Sequence, residues 1–363
     1  MQITHDLAIG GLQQVVVNLC RTIDRNKFHT TVLCLRALGP LVEEIERLGI
    51  KVMLLPQKKS GTDYFSFLKV AKILRKERIQ VIHTHNTQPL LDGTIGAILS
   101  GGRQRIIHTD HARQFPDKKR YMFAEWCMSH FVYKVVGVSE QTTDNLWSYE
   151  KIPRRKLMTI ENGIDGSLFQ ISIDKQAKRK ELGIPAVGPV IGAISRIEKV
   201  KGIKYLLQAM PKIINKFPDI TLLIVGDGSE KSSLKAEARQ LDVEKNVKFT
   251  GARDDIPEIL QVLDIYLLPS LSEGLPMGLL EAMAAGCPVI ASDVGGIKSV
   301  VTNKETVIIV EPGNVQDLLF AVICSLRKTY LEQSVACEVC SALPEKYCAE
   351  AMMQKYCDLY SSI

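Results

Sequence analysis

Apolar and polar positions follow two different periods along this chain. Short runs of β-branched and aliphatic residues, typical of strands buried on both faces, alternate with stretches that place an apolar residue every three or four positions, typical of helices. In the first half, strands are predicted at residues 30–35, 51–55, 80–84, 105–109 and 135–138. Helices are predicted between them at residues 12–23, 41–48, 65–78 and 90–99.

The second half of the chain repeats this alternation. Strands are predicted there at residues 190–195, 221–225, 247–250, 265–269 and 288–291. Helices are predicted at residues 201–216, 231–241, 257–263 and 277–285. Regular alternation favours parallel sheets with helices on both faces, so we expect two doubly wound α/β domains. Their join is predicted in residues 160–189, where Asn162-Gly163 indicates a turn and charged sequence follows.

Length and composition agree with this architecture. The 363 residues exceed what one ordinary core supports, and a hydrophobic fraction of 46% is typical of a globular protein. No apolar run approaches the roughly 18 residues of a membrane span. The start of the chain lacks the pattern of a secretory signal and the nine cysteines are an odd number, so we expect reduced thiols and a cytoplasmic location.

The net charge of +6 collects partly in short basic runs. One run, at residues 118–120, lies in a predicted helical segment at residues 115–133. This segment also contains the aromatic residues Tyr121, Phe123, Trp126 and Phe131. A basic helix with aromatic residues is typical of a protein that lies on an anionic membrane surface. The alternative is a packed helix with a solvated basic end.

Residues 272–292 carry the most informative pattern, with Glu273 in a predicted loop and Glu281 in the helix that follows. Pro276 is expected at the first helical position, where the N–H that proline lacks has no partner. Unpaired N–H groups, the positive end of a helix dipole and two carboxylates suit a phosphate beside a polyhydroxylated group.

Two cations are expected near Glu273. Arg196 and Lys201 follow the predicted strand at residues 190–195, and Glu273 follows the strand at residues 265–269. Because parallel strands end at one edge of their sheet, these side chains are expected to converge. Two cations there suit a diphosphate, and the alternative is ordinary surface charge.

A second candidate ligand contact is the turn at Gly10-Gly11, which precedes the predicted helix at residues 12–23. Glycines at such a junction let the backbone approach a ligand closely. The signal is weak by itself, because many turns share it.

Two residue clusters raise the question of a metal. One is the pair Cys337-x-x-Cys340 with the later Cys348 and Cys357, and the other is the set His83, His85, His108 and His111. The C-x-x-C pair could bind a metal, but the spacings to the later cysteines match no ligand pattern, and small buried side chains are the favoured alternative. The histidines lack a carboxylate or cysteine at ligand spacing, so structural histidines are favoured and no metal is predicted. His111 stands just past a strand, which directs it towards the carboxyl edge of the sheet.

Together these motifs resemble glycosyltransferase family 4. The glutamate pair with seven residues between its members follows SRIEKVKG, IVGDGSE and FTGARDDIPEIL, and earlier come VIHTHN, HTDH, VGVSEQTTDNL and IENGIDGSLF. The resemblance spans nearly the whole chain. Each motif is loose singly, and the set in this order is specific.

The resemblance implies the GT-B fold, in which two Rossmann-like doubly wound domains face each other across a cleft. The N-terminal, acceptor-side domain would comprise residues 1–165, with a final helix in residues 345–363 crossing back onto it. The nucleotide-sugar domain would comprise residues 166–344. The implied reaction moves a sugar from a UDP-, GDP- or ADP-sugar to an acceptor with retention at the anomeric carbon, and it requires no metal or other cofactor.

The resemblance also implies a role for each site residue. Arg196 and Lys201 would hold the donor diphosphate and neutralise the departing nucleotide. Glu273 would face the donor sugar, and Glu281 would accept hydrogen bonds from ribose hydroxyls. His111 would approach the reacting centre. Further contacts would come from Arg253 near the base, from Gly10 and Gly11 at the phosphates, and from the backbone of Gly274, Leu275, Pro276, Met277, Gly278 and Leu279.

The implied acceptor is a saccharide or a glycolipid in polysaccharide, lipopolysaccharide or glycolipid synthesis, and an anionic membrane surface is a candidate partner. No nucleic acid is expected. Three alternatives remain. A glycoside hydrolase would use the two glutamates as acid and base but would leave Arg196 and Lys201 without a task. A nucleotide-sugar epimerase would need no acceptor. A non-catalytic scaffold of the same fold would need none of the site residues.

Overall fold

A computed structural model of the protein describes residues 1–56, 63, 65–111, 116–301, 307–330 and 343–361. Phe115, Cys337 and Cys340 lie outside these residues. The chain forms two compact units, the first made of Met1–Ile164 with Lys346–Ile363 and the second of Asp165–Glu345.

The strands and helices are numbered in chain order. The strands are β1 (Gln2–Thr4), β2 (Thr31–Cys34), β3 (Lys51–Leu54), β4 (Val81–His85), β5 (Arg105–Asp110), β6 (Lys134–Gly137), β7 (Leu157–Thr159), β8 (Val190–Ile194), β9 (Thr221–Val225), β10 (Val247–Gly251), β11 (Ile265–Leu268), β12 (Val289–Ser292) and β13 (Val307–Val310). The helices are α1 (Gly11–Thr22), α2 (Val42–Arg47), α3 (Ser66–Lys76), α4 (Thr87–Ser100), α5 (Lys119–Ser129), α6 (Glu140–Ser148), α7 (Lys175–Leu182), α8 (Ile203–Ile214), α9 (Lys231–Gln240), α10 (Ile256–Val262), α11 (Met277–Ala284), α12 (Ile297–Val300), α13 (Val315–Tyr330) and α14 (Ala349–Ser361).

Each unit is built on one parallel sheet. Within the described residues, the order in the first unit is β3-β2-β1-β4-β5-β6-β7, and in the second it is β10-β9-β8-β11-β12-β13. Strands β2 and β9 are buried at every position, as expected for aliphatic strands covered on both faces. The prediction of two doubly wound parallel sheets is therefore confirmed. In both sheets the strand order reverses beside the first strand of the unit, and ligands bind beyond the carboxyl ends of strands at such a point.

Helix α14 belongs to the first unit. Tyr347, just before the helix, accepts a backbone hydrogen bond of 2.9 Å from Ile164, and Ala349 donates one of 3.0 Å back to Ile164. A side chain on Gly163 would place its Cβ 2.3 Å from the carbonyl oxygen of Cys348. Glycine at position 163 thus lets the start of α14 lie directly against the chain that leaves the first unit.

Two predictions about local structure were wrong. The charged stretch assigned to the join contains helix α7, which begins where the Asp174 side chain accepts hydrogen bonds from two backbone N–H groups and ends at Gly183 in the left-handed conformation. Its low apolar content concealed it, although both end signals stand in the sequence. Pro276 lies just before the first residue of α11, with extended backbone, rather than at the first helical position.

Candidate active site

The second sheet brings one predicted cation and one predicted carboxylate into contact. The Lys201 ammonium donates a hydrogen bond to Oε1 of Glu273 at 2.7 Å, and the Ser270 hydroxyl donates to the same oxygen at 2.6 Å. Strands β8 and β11, which precede these residues, are neighbours in the sheet. A backbone hydrogen bond of 2.8 Å from Leu271 to Val200 ties their loops together. The Glu273 side chain is 4% exposed, so this ion pair is largely shielded from water.

Arg196 lies at the same edge of the sheet but, unlike Lys201, it is not in an ion pair with a described residue. Its side chain is exposed. The backbone of its loop is fixed by the turn after β9, through hydrogen bonds of 2.8 Å from Ile197 to Asp227 and 3.0 Å from Glu230 to Ile197. Gly226, at φ +134°, makes this approach feasible, because a Cβ there would lie 1.9 Å from the Ser195 carbonyl oxygen. The Gly-Asp-Gly turn therefore positions the Arg196 loop.

A second glycine pair, which the sequence analysis missed, supports the loop of Glu273. Gly296 donates a backbone hydrogen bond of 2.6 Å to the carbonyl of Gly274. Gly295 has φ +61°, and a Cβ on it would lie 2.2 Å from the Glu273 carbonyl oxygen. In the sequence, this turn is indicated by the run Asp-Val-Gly-Gly that follows a predicted strand. Helix α11 begins three residues beyond Gly274, and first-turn N–H groups have no acceptor in their own helix.

Glu281 is the fifth of the eight residues of α11, in a setting that disfavours its charge. Burial raises the pKa of its carboxyl to about 7, although the residue keeps some exposed surface. The nearby Tyr266 hydroxyl donates to the carbonyl of Ile194 at 3.2 Å. Burial, then the neighbouring Glu281, raise the pKa of that tyrosine well above its usual value. At neutral pH the carboxyl of Glu281 is therefore poised between its two protonation states.

The Arg253 side chain is engaged within the second unit. It donates to Oδ1 of Asp255 at 2.7 Å, and it also pairs with Glu181. These hydrogen bonds raise the pKa of the guanidinium above its already high ordinary value. The predicted contact of Arg253 with a base through its backbone stays a prediction, and its side chain holds α7 and α10 together.

In the first unit, Gly10 and Gly11 lie at the start of α1. Gly10 precedes the helix with extended backbone, and its carbonyl accepts a hydrogen bond of 2.9 Å from Gln14. The Asp6 carboxylate accepts from the Ala8 backbone at 3.0 Å and from the Gln13 side chain at 2.8 Å. Asp6, which the sequence analysis did not single out, thus shapes the glycine turn.

His111 is buried at the end of β5, beside other histidines. Its Nε2 lies 3.0 Å from Nδ1 of His85. Burial is the main cause, and the neighbouring His108 the second, of a pKa of His111 lowered to about 3. Burial also lowers the pKa of His83 and His85 well below the usual value. These three rings are therefore neutral at pH 7, and each is hydrogen-bonded within the protein, which favours the structural interpretation of the cluster.

Two groups of carboxylates in the described residues lie close enough to share a cation, with oxygens within 4.8 Å of one another. One group is Glu181, Asp255 and Glu258, and it surrounds the Lys178 ammonium and the Arg253 guanidinium. These protein cations already neutralise the group. The other comprises Asp110, Glu125 and Glu150, all buried, and Glu125 accepts a hydrogen bond from the Thr87 hydroxyl.

Known families match both units. A family model described as "Glycosyltransferase Family 4" matches residues 9–168, and one described as "Glycosyl transferases group 1" matches residues 174–334. The UDP-Gal:alpha-D-GlcNAc-diphosphoundecaprenol alpha-1,3-galactosyltransferase of Escherichia coli is 27% identical, over 87% of this chain and 84% of its own length. The N-acetyl-alpha-D-glucosaminyl L-malate synthase of Bacillus anthracis is 26% identical, over 81% of this chain and 78% of its own.

Solved structures share the fold. The crystal structure of Anabaena HepE in complex with UDP-glucose superposes with a TM-score of 0.87 at 22% identity, covering 100% of this chain and 99% of that one. The structure of WaaG, a glycosyltransferase involved in lipopolysaccharide biosynthesis, gives a TM-score of 0.74 at 15% identity, with coverage of 100% and 99%.

Proposed function

Since this chain belongs to glycosyltransferase family 4, has the GT-B fold and transfers a sugar from a nucleotide-sugar donor, we propose that it is a retaining hexosyltransferase whose donor lies at Arg196, Lys201, Glu273 and Glu281. The observation that carries this proposal is the Lys201–Glu273 ion pair with the exposed Arg196 at the same sheet edge. Two cations beside a buried carboxylate, at the carboxyl ends of parallel strands, suit a diphosphate linked to a sugar.

The chemistry of these groups suits departure of a nucleoside diphosphate. When the bond between the anomeric carbon and the diphosphate oxygen breaks, negative charge grows on the leaving group. Lys201 and Arg196 stabilise that charge, and so do the first-turn N–H groups of α11, all without a metal. Glu273 keeps Lys201 oriented and presents carboxylate oxygen to sugar hydroxyls. Glu281 accepts hydrogen bonds from a ribose. In the first unit, we assign Gly10 and Gly11 to contacts with the phosphates and His111 to the reacting centre.

The first donor to test is a UDP-sugar, and the first acceptor is a lipid-linked saccharide. The Escherichia coli relative is named for UDP-galactose as donor and for a GlcNAc-diphosphoundecaprenol acceptor, and it matches most of both chains. An acceptor of that kind places the reaction at a membrane surface.

The exposed face of α5 supports a membrane surface as partner. The helix buries Glu125 and Ser129, whereas Phe123 is 64% exposed and Phe131, just after the helix, is 58% exposed. Charged groups usually lie outside and aromatic rings inside, so this helix has the reverse of the usual pattern. Lys118, Lys119 and Arg120 are exposed at its start. Exposed rings beside basic residues fit the interface of an anionic bilayer. No helix in the described part of the chain has the length and apolar character needed to cross a bilayer.

The decisive experiment is a thermal-shift panel of UDP, GDP, ADP and their common sugar conjugates with the wild type, Lys201→Ala and Lys199→Ala. A ligand present at about 100 times its Kd adds roughly 2.7 kcal/mol to the free energy of unfolding. We expect one nucleotide class to stabilise the wild type and Lys199→Ala, and to stabilise Lys201→Ala much less. Lys199 is the matched control, because it is exposed in the same short turn and forms no ion pair with the described residues.

Transfer rates with the donor found in this way complete the test. Loss of the Lys201 ammonium should lower kcat roughly 10²- to 10³-fold, the cost of removing one group that stabilises charge in a transition state. A Lys201→Ala enzyme within about threefold of wild type would remove Lys201 from this role. A folded wild type that no nucleotide stabilises would favour the scaffold alternative, and release of a free sugar isomer without acceptor would favour the epimerase.

A further inference from the structure

A chain of buried side chains connects α14 to His111 across three neighbouring strands. The Tyr360 hydroxyl in α14 accepts a hydrogen bond of 3.2 Å from the amide nitrogen of Gln2. The amide oxygen of Gln2 lies 2.9 Å from Nε2 of His85, and Nδ1 of His85 lies 3.0 Å from Nε2 of His111. None of these four side chains is more than 6% exposed. Gln2 and His85 lie in β1 and β4, and His111 directly follows β5; these three strands lie side by side.

The orientation of the Gln2 amide determines where each proton lies in this chain of hydrogen bonds. With the amide nitrogen of Gln2 donating to Tyr360, its carbonyl oxygen faces His85 and can only accept, so in this orientation Nε2 of His85 carries the proton and donates to Gln2. A neutral imidazole has one N–H, which leaves Nδ1 of His85 as an acceptor. That atom then receives the hydrogen bond from an Nε2–H of His111. By the same rule Nδ1 of His111 is unprotonated, and among the described residues the ring has its hydrogen bond at Nε2.

The far end of the chain is fixed as well. Because the Tyr360 hydroxyl accepts from Gln2, its own proton is available to Nδ1 of His83, 2.7 Å away. The other ring nitrogen of His83 lies 2.7 Å from the Thr109 hydroxyl, which lies 2.8 Å from the hydroxyl of Tyr356. The Tyr360 hydroxyl thus has a partner on both sides, the Gln2 amide and the His83 ring.

We propose that Tyr360, Gln2 and His85 are positioning residues for the transfer reaction, which hold the His111 ring with Nε2 protonated and Nδ1 free to accept a hydrogen bond from a substrate hydroxyl. This inference rests on the proposed role of His111. Helix α14 thereby has a role beyond packing in the first unit. Without the Tyr360 hydroxyl, the Gln2 amide is free to turn, and its orientation determines which nitrogen of His85 carries the proton. Burial and the low pKa of the rings keep the chain neutral, so that it orients His111 without supplying charge.

The test compares two Tyr→Phe variants on the same helix. Tyr360→Phe removes the hydroxyl that bonds to Gln2 but keeps the ring, whereas Tyr356→Phe, the control, removes a buried hydroxyl that bonds to Thr109 and reaches Tyr360 only through Thr109 and His83. We expect kcat to fall about 10-fold in Tyr360→Phe, as for loss of a group that orients a catalytic residue, and to change less than about twofold in Tyr356→Phe. Affinity for the nucleoside diphosphate should be unchanged in both. Gln2→Met, which keeps the chain length but has no amide, should behave like Tyr360→Phe.

The ring protons supply a readout that a packing defect would not change. Two-bond ¹H–¹⁵N spectra distinguish the two imidazole tautomers, and a His111→Asn variant assigns the His111 signals. We expect His111 to be protonated at Nε2 in the wild type and in Tyr356→Phe, and to show a mixture of tautomers in Tyr360→Phe. Protonation at Nδ1 in the wild type, or equal losses of kcat in the two variants, would overturn the inference. If the wild type transfers no sugar, the proposed function fails, and the spectra still decide the tautomer.

Discussion

Lys201 and Glu273 are separated by 71 intervening residues, yet their side chains form an ion pair of 2.7 Å. Arg196 is an exposed cation at the same sheet edge, as is Lys199 in the turn that follows it. In the proposed site a diphosphate would share the Lys201 ammonium with a carboxylate that also accepts a hydrogen bond from the Ser270 hydroxyl. Glu273 can release part of this interaction without becoming an unpaired buried charge, which would be costly.

Glu281 gives a pH-dependent prediction at the residue scale. Burial raises its pKa from 4.5 to about 7, so the folded protein prefers the protonated form. Its contribution to stability is thus most favourable below pH 4.5 and is lost as the pH rises towards 7. Glu281→Gln should gain stability relative to wild type between pH 5 and pH 8, by on the order of 1–3 kcal/mol.

Urea unfolding of both proteins at several pH values measures this difference. Other titrating groups are common to both proteins and cancel. A difference that stays constant from pH 5 to pH 8, or grows towards low pH, would show that the Glu281 carboxyl ionises in its ordinary range.

At the scale of elements, α11 depends on its contact with β11. A Cβ on Gly278 would lie 2.3 Å from the Tyr266 hydroxyl, whereas the tyrosine ring carbon behind that hydroxyl is 3.3 Å away. The small residue in the first turn of α11 therefore makes room for a buried hydroxyl that is bonded to Ile194. Alanine is otherwise the better helix former by about 1 kcal/mol.

A double-mutant cycle tests this contact. Gly278→Ala should destabilise the protein by about 1–3 kcal/mol, the usual cost of overpacking. In the Tyr266→Phe background the same change should cost at least about 1 kcal/mol less, because the clashing oxygen is gone. Denaturant unfolding of the four proteins gives the coupling, and additive effects would mean that the helix shifts away from the strand instead.

At the scale of the whole molecule, the basic and aromatic surface at α5 predicts binding to anionic membranes. Wild-type protein should float with vesicles that contain anionic phospholipid and should remain at the bottom with neutral vesicles. Changing Lys118, Lys119 and Arg120 together to glutamate should abolish flotation, since each basic residue near such a surface contributes about 1 kcal/mol.

The matched control changes Lys212, Lys216 and Lys245, which are exposed on the second unit, to glutamate and alters net charge by the same amount. It should float as wild type does. Equal flotation of the wild type and the variant at residues 118–120 would exclude this surface. Loss of flotation in both variants would assign the effect to net charge.

Most of the fold was predictable from local pattern. Aliphatic runs predicted β2 to β6 and β8 to β12, because a strand in a doubly wound sheet is covered on both faces and its sequence has to be apolar. Helix α7 was not predicted, because it is stabilised by charged contacts such as that of Lys178 with Asp255. Such contacts produce no helical period of apolar residues in the sequence. Strand β7, three half-buried residues, was missed for want of a distinct apolar run.

The sequence by itself determined the two parallel sheets, the family and which residue types stand at the strand ends, since these depend on local periodicity and on order along the chain. Only the tertiary structure decided which side chains meet. The pairing of Lys201 with Glu273, the raised pKa of Glu281 and the chain from Tyr360 to His111 depend on strand neighbours and on burial. Strand neighbours and burial cannot be inferred from local sequence, because the residues concerned come from distant parts of the chain.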